Sequence, residues 1–132
     1  NRIISITPDL TISEMVDEYV YKHYQKAFPV LEKERLAGVV TIQALLSIDR
    51  HKWHWLHIGS VIEKPAARNT IHIDAPAYDA LERMQEHGLE MLMVTGDEDK
   101  FMGVITFRDL ATFLSITHKI DQDKAIAESR KA

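Results

Sequence analysis

The stretch that decides the fold reads Gly103-Val104-Ile105-Thr106-Phe107-Arg108-Asp109-Leu110. It runs from a short apolar strand into a helix, and its polar side chains fall where the strand ends and the helix begins. Thr106 occupies the N-cap position, and Asp109 follows three residues later, which is the spacing of a capping box with Asp in place of Glu or Gln. A helix N-terminus presents unpaired backbone N–H groups and a partial positive charge. The stretch alone therefore leaves two interpretations open, a simple helix cap and a place where a phosphate or ribose hydroxyl is held.

Most of this stretch occurs twice in the chain. Gly38, Thr41 and Leu45 precede Gly103, Thr106 and Leu110 by the same interval, since 103 − 38, 106 − 41 and 110 − 45 all give 65. The same offset applies without a gap over residues 6–46. The chain is therefore predicted to be a duplication. Each copy is too small to bury its own hydrophobic face, so the two copies must pack on each other.

Each copy reads as strand, helix, strand, strand, helix, which predicts an α/β (α+β) fold of two β-α-β-β-α repeats related by a pseudo-two-fold axis. The predicted elements of the first copy are a strand over Arg2–Ile6, a helix from the capping box of Thr11 and Glu14 to about Tyr24, strands Ala27–Leu31 and Leu36–Val40, and a helix capped by Thr41. Those of the second copy are a strand over Thr70–Ile73, a helix Ala77–His87 ended by Gly88, strands Leu89–Val94 and Phe101–Ile105, and a helix from Phe107. The predicted organisation is repeat 1 over residues 1–50, a linker over 51–66, repeat 2 over 67–118 and a C-terminal tail or frayed helix over 119–132. Ligand clefts are expected where the strand-to-helix turn of one copy meets the first strand and hairpin of the other.

Composition excludes several classes of function. The 132 residues are 45% hydrophobic and 27% charged, as in an ordinary globular protein, and the net charge of −4 argues against nucleic acid as a partner. The chain has no cysteine and no apolar run of 18 residues, so we expect neither disulfides nor direct membrane insertion. A cytoplasmic piece of a longer protein is predicted.

The sequence also lacks a convincing catalytic constellation. No P-loop and no nucleophile-elbow pattern is present, so a nucleotide would be bound without being hydrolysed. The linker carries His51, His54 and His57 between Trp53 and Trp55, and three imidazoles could bind Zn²⁺ if a helix persisted there. The competing interpretation is that both Trp side chains cover an edge of the core while the His side chains face water. We therefore predict no enzyme activity and no metal site.

A β-α-β-β-α repeat whose hairpin ends in Gly-apolar-apolar-Thr-x-x-Asp-Leu resembles the cystathionine-β-synthase-type (CBS) domain, and two in tandem resemble a Bateman module. The resemblance extends from Arg2 to about His118, and the second copy fits it best. Such modules typically act as regulatory sensors within larger transporters, channels and enzymes. The resemblance implies an adenosine-containing ligand, AMP, ADP, ATP or S-adenosylmethionine, and no required cofactor.

The resemblance also implies which residues bind that ligand. Asp109 would accept hydrogen bonds from the ribose hydroxyls, with Thr106 and Arg108 beside the phosphates. The adenine side would come from the opposite repeat and is carried over by position to Ile4, Gln25, Lys26 and Ala27.

The first copy departs from the pattern at the decisive place. Ala44 stands where the carboxylate belongs, and Gln43 stands where the second copy has Arg108. We therefore predict one well-formed site, around Asp109, and a second cleft that is empty or weak.

Two further expectations depend on resemblance. Trp53 followed by Ile58-Gly59-Ser60-Val61-Ile62 resembles the linker of CBS pairs attached to site-2-protease-like zinc metalloproteases, although Ile62 stands where Met would be usual. The His-Glu-x-x-His motif of such a protease is absent from this chain. Bateman-type modules commonly associate face to face, so a homodimer is expected. The alternative function is thus a ligand-independent dimerisation or interaction module of a membrane-associated metalloprotease or transporter.

Overall fold

A computed structural model of the chain describes residues 3–129, apart from the side chain of Thr117. The first repeat has helix α1 (Ile12–Met15) continued by a π-helical turn (Val16–Val20), strands β1 (Ala27–Glu32) and β2 (Arg35–Thr41), and helix α2 (Ile42–Leu46). Short 3₁₀ turns over Arg50–Lys52 and Ile58–Ser60 lie in the linker. The second repeat has strand β3 (Thr70–His72), helix α3 (Ala77–His87), strand β4 (Met91–Thr95), a 3₁₀ turn (Asp97–Asp99), strand β5 (Phe101–Thr106) and helix α4 (Phe107–Ser129). The order agrees with the predicted duplication.

The predicted capping box opens α1. The Thr11 hydroxyl accepts from the Glu14 N–H at 3.1 Å, and the Glu14 carboxylate accepts from the Thr11 N–H at 3.0 Å. The Thr11 N–H, together with the Thr11 hydroxyl that donates to the same carboxylate oxygen at 3.0 Å, stabilises the ionised form and lowers the pKa of Glu14 below its ordinary value. The box fixes where the first helix begins.

The strand predicted over Arg2–Ile6 is reduced to one bridge, Ile6 beside Val30 of β1, and Arg2 lies outside the described residues. If this segment continued its parallel pairing with β1 towards the N-terminus, the next hydrogen bond would run from the Pro29 backbone nitrogen to the Ile4 carbonyl. Proline has no N–H and cannot donate that bond. The side-chain amide of Gln25 takes that place. Its Oε1 accepts from the Ile4 N–H at 3.0 Å, and its Nε2 donates to the carbonyls of Ile4 at 2.8 Å and Ala27 at 3.0 Å.

The gap-free offset of 65 is wrong for the first hairpin strand. Ala27 pairs with Thr41, and Met91 pairs with Thr106, so the β1 and β4 positions differ by 64 (91 − 27) while the β2 and β5 positions differ by 65 (106 − 41). Repeat 1 therefore has one more residue before β1, which the wider π turn can accommodate. Repeat 2 has one more residue in its hairpin loop, where the 3₁₀ turn lies.

The second repeat follows its sequence signals closely. Helix α3 covers the predicted Ala77–His87, and Gly88 ends it with φ of 63° in the left-handed region. Strands β3, β4 and β5 form a three-stranded sheet in that order. The central strand β4 is parallel to β3 and antiparallel to β5.

The linker packs against the first repeat. Glu63 and Val39 exchange backbone hydrogen bonds of 2.8 Å in each direction, so the linker continues the first sheet beyond β2. Ile58 is fully buried in the first core, and Trp53 packs against that core while its Nε1 donates to the Ile48 carbonyl at 3.0 Å. Trp55 is exposed, so the expectation that both Trp side chains cover the core holds for Trp53 alone.

Three apolar clusters hold the molecule together. One lies within each repeat, around Phe28 in the first and Leu92 in the second. The third consists of Leu36, Val39 and Met93, all buried, and joins the two hairpins. Because each repeat is too small to bury its own hydrophobic face, a shared apolar cluster between the two repeats is expected.

Helix α4 is the longest element. It runs from Phe107 through the boundary predicted near residue 118 to Ser129, so the described part of the predicted tail is helical. Residues 130–132 lie outside the described residues. Among the helices described over residues 3–129, none combines the length and apolarity needed to cross a membrane.

Candidate functional site

A cleft lies between the two repeats, at the ends of the hairpins opposite their tips. It is open to solvent and has a volume of about 1120 Å³. Its walls combine apolar and polar side chains from both copies, among them Ile3, Lys22, His23, Tyr24, Gln25, Lys26, Ala27, Thr41, Ile42, Gln43, Leu46, Leu89, Glu90, Met91, Val104, Thr106 and Asp109. Such a volume and such a mixture suit a small organic ligand with polar groups.

Both strand-to-helix turns border this one cleft. The Thr41 hydroxyl accepts from the Ala44 N–H and the Thr106 hydroxyl from the Asp109 N–H, each at 3.1 Å, so both threonines cap the helices that follow them. The sequence predicts a ligand position at each turn. The hairpins pack side by side through Leu36, Val39 and Met93, which brings the two turns to the same end of the molecule, so both positions open into one continuous cleft.

Five of the seven predicted ligand-binding residues lie together around the cleft, namely Gln25, Lys26, Ala27, Thr106 and Asp109. Asp109 is exposed, and within the described residues its carboxylate has no hydrogen-bond or ion-pair partner. It is therefore available to accept hydrogen bonds from a ligand.

The other two predicted residues do not line the cleft in this structure. Ile4 is replaced there by its neighbour Ile3, as expected when successive side chains of an extended segment point to opposite sides. Arg108 is exposed on the first turn of α4 without lining the cleft, and Gln43, its counterpart in the first repeat, does line it.

Two of the cleft residues are already engaged by protein groups. The amide of Gln25 holds the backbone of Ile4 and Ala27, so its observed role is to fix the cleft wall. The ammonium of Lys26 forms an ion pair with Glu90 at 2.9 Å, and this pair joins the two repeats across the cleft.

Sequence reasoning missed Lys22, His23, Tyr24 and Glu90, which also line the cleft. The first three directly precede Gln25, and their cluster of basic and aromatic side chains was a usable signal. Glu90 lies in the predicted strand Leu89–Val94 and belongs to no motif. With these residues included, the cleft has two ammonium groups, one imidazole and two carboxylates, from Lys22, Lys26, His23, Glu90 and Asp109.

The histidines of the linker lie away from this cleft and are exposed. His51 pairs through Nδ1 with Asp49 at 2.9 Å. Within residues 3–129, no three His, Cys, Asp or Glu side chains are grouped as metal ligands.

The family model described as CBS domain matches residues 1–51 and again residues 58–116. The chain belongs to the CBS domain family. The predicted tandem pair and its α+β fold are both confirmed, since the solved structures it resembles are CBS domains as well. The two matched segments contain both strand-to-helix turns of the cleft.

The first curated relative is a longer protein than this chain. The chain is 28% identical over 114 residues to the uncharacterized protein MJ1232 of Methanocaldococcus jannaschii, a match that covers 84% of this chain and 36% of the relative. This CBS pair thus spans about a third of the length of that relative.

Two solved CBS structures hold an adenine nucleotide. The CBS domain of the bacterial CNNM/CorC family Mg²⁺ transporter, in complex with ATP, matches with a TM-score of 0.69 and 17% identity, covering 83% of this chain and 77% of that chain. CBSX2 in complex with AMP matches with a TM-score of 0.72 and 18% identity, covering 88% of this chain and 90% of that chain. At such identities the likeness establishes a shared fold.

Proposed function

We propose that this CBS pair is a regulatory module that binds an adenosine-containing ligand in the cleft around Asp109 and passes a conformational change to the rest of its protein. The observation that carries the proposal is the cleft of about 1120 Å³ between the repeats, with the exposed carboxylate of Asp109 on its wall. AMP, ADP, ATP and S-adenosylmethionine are the candidate ligands. The ATP and AMP held by the two CBS structures of the same fold support this choice.

The roles of the individual groups follow from their chemistry. An ionised carboxylate can accept hydrogen bonds from two adjacent ribose hydroxyls, which assigns the ribose to Asp109. The Thr106 hydroxyl accepts from the protein and can still donate to a phosphate oxygen. Apolar cleft residues such as Leu89, Met91 and Val104 would cover the base. Arg108 reaches such a ligand only by reorienting from its observed position.

The test is isothermal titration of the four ligands into the native chain and into Asp109→Asn. We expect the strongest ligand of the native chain to lose affinity by about tenfold or more in the variant, since a hydrogen bond to a charged group is worth about 1.5–3 kcal/mol. The matched control is Asp79→Asn, which changes an exposed carboxylate at the equivalent turn of α3, outside the cleft. Equal losses in both variants, or no heat from any ligand with the folded native chain, would contradict the proposal.

A second candidate function is a dimerisation or interaction module that acts without ligand. The observation that favours it is the set of exposed apolar side chains along α4, Ile116 at 56% and Ile120 at 59% exposure. Such side chains on one helix typically mark a contact surface. The proposed occupant is a second copy of the chain, and the proposed parent is a metalloprotease or transporter.

Oligomeric state tests this alternative. We expect sedimentation of the native chain to show a dimer and Ile116→Glu to shift it towards the monomer, because a buried unpaired charge is costly at an interface. Ile126→Glu is the control, since Ile126 is also exposed but projects from a different side of the helix. A native chain that sediments as a monomer at all concentrations would remove this candidate.

A further inference from the structure

An ion pair between the repeats lies inside the cleft. Lys26 Nζ is 2.9 Å from Glu90 Oε2, and the two side chains keep 81% and 72% of their exposure. The residues occupy equivalent positions, since the β1 and β4 positions differ by 64 and 90 − 26 is 64. The pair therefore lies across the pseudo-two-fold axis, on the wall that a ligand would touch.

The two repeats are connected differently at the opposite end. At the hairpin tips the Phe101 N–H donates to the Glu34 carbonyl at 2.9 Å, and Arg35 pairs with Glu98 at 2.9 Å. Between the two ends lies the shared apolar cluster. Within residues 3–129, the ion pair that joins the repeats at the cleft end is that of Lys26 and Glu90. This end is held by side chains, whereas the tips are also held by backbone.

The ion pair can be exchanged for a ligand phosphate. An exposed lysine–carboxylate pair contributes little to stability, because water competes for both groups. A phosphate monoester carries more negative charge than a carboxylate and has three acceptor oxygens. Lys22 and His23 line the same cleft, and the ammonium of Lys22 adds positive charge to that wall. Glu90 would be repelled by a phosphate that approaches Lys26.

We propose that Lys26 and Glu90 form a phosphate-responsive connection between the repeats. This inference rests on the proposed function, since it concerns the phosphate end of the same ligand. The phosphate of a phosphorylated adenosine replaces Glu90 as the partner of Lys26. The contact between the repeats at the cleft is then broken, while the hairpin tips stay joined. The cleft then selects phosphorylated ligands over neutral adenosine and converts the phosphate into a change of angle between the repeats.

Titration calorimetry with adenosine, AMP and inorganic phosphate tests the recognition step. We expect the native chain to bind AMP about tenfold more tightly than adenosine, from one charge-assisted contact. Lys26→Gln should reduce that ratio to about twofold or less, and Glu90→Gln should raise AMP affinity about threefold because the competing carboxylate is gone. Adenosine affinity should change much less than AMP affinity in both variants, because adenosine carries no phosphate for Lys26 or Glu90 to attract or repel. The matched control is Glu98→Gln, which removes the other exposed inter-repeat ion pair outside the cleft and should leave all affinities unchanged.

The outcomes separate the two proposals. Adenosine and AMP that bind equally well, or a ratio that survives Lys26→Gln, would overturn the inference and leave the proposed function intact. Inorganic phosphate that binds as tightly as AMP would also overturn it, since the cleft would then be a plain anion site. If neither adenosine nor AMP binds, the proposed function fails and this inference fails with it.

A distance measurement tests the conformational step. The chain has no native cysteine, so spin labels can be placed at Ser47→Cys and His87→Cys, exposed positions next to cleft-lining residues of the two repeats. We expect AMP to shift the distance distribution, adenosine to leave it unchanged, and Glu90→Gln to show the shift without ligand. Identical distributions with AMP and with adenosine would overturn the coupling.

Discussion

Met93→Ala is expected to lower the free energy of unfolding by about 2–5 kcal/mol, the range for removing a large side chain from a packed core. Met93 is 1% exposed and packs with Leu36 and Val39 in the cluster shared by the two hairpins. The lost stability has two parts. Fewer apolar atoms are transferred from water into the core on folding, and a cavity remains between the two sheets because neither sheet can move alone to fill it. Chemical denaturation followed by circular dichroism measures it.

Met102→Ala provides the matched control, because it removes the same atoms from a side chain that is 46% exposed in the neighbouring strand. Its expected cost is below about 1 kcal/mol, since much less apolar surface leaves water there on folding. Equal effects of the two substitutions would show that the hairpins do not share a core. The repeats would then have to be treated as separately stable units.

Gly38→Ala is expected to lower the free energy of unfolding by about 2–4 kcal/mol, from overpacking and from weakened hydrogen bonds. A Cβ at Gly38 would lie 2.5 Å from the Glu63 carbonyl oxygen and 2.9 Å from Ile62 Cδ1. That carbonyl accepts from the Val39 N–H, so the linker strand would have to move away from β2. Denaturation gives the free energy, and amide exchange should show lost protection at Val39 and Glu63.

Gly96→Ala is the control for this substitution. Its φ is −99°, and the nearest atoms to a new Cβ belong to the flexible Met102 side chain at 3.4 Å. We expect a change within about 1 kcal/mol, of either sign, because alanine also restricts the unfolded chain. If Gly38→Ala proved equally mild, the linker would not be held against β2 as the structure places it.

Local sequence signals were sufficient where the structure is decided by neighbouring residues. Thr11, Thr41 and Thr106 cap helices as predicted, and Gly88 ends α3 in the left-handed conformation. The duplication itself was visible because the Gly-apolar-apolar-Thr motif is repeated at a fixed interval.

Long-range contacts could not be read from the sequence. The first strand is shortened because Pro29, more than twenty residues away in the chain, lacks the N–H that Ile4 would need. The constant offset of 65 concealed two compensating one-residue differences, which become visible in the pairing of β1 and β4. Lys26 and Glu90 meet only because the repeats fold onto each other. Whether Arg108 lines the cleft likewise depends on how α4 is set against its repeat.

The continuity of α4 makes the helix a lever arm. Asp109 lies in its first turn, and the same helix continues without a break to Ser129. Twenty-three helical residues span about 35 Å, so a tilt of about 5° at the cleft displaces the far end by about 3 Å. Under the proposed function, a small adjustment around a bound ligand would be enlarged in this way at the far end of α4. The length of α4 would then set the size of the displacement.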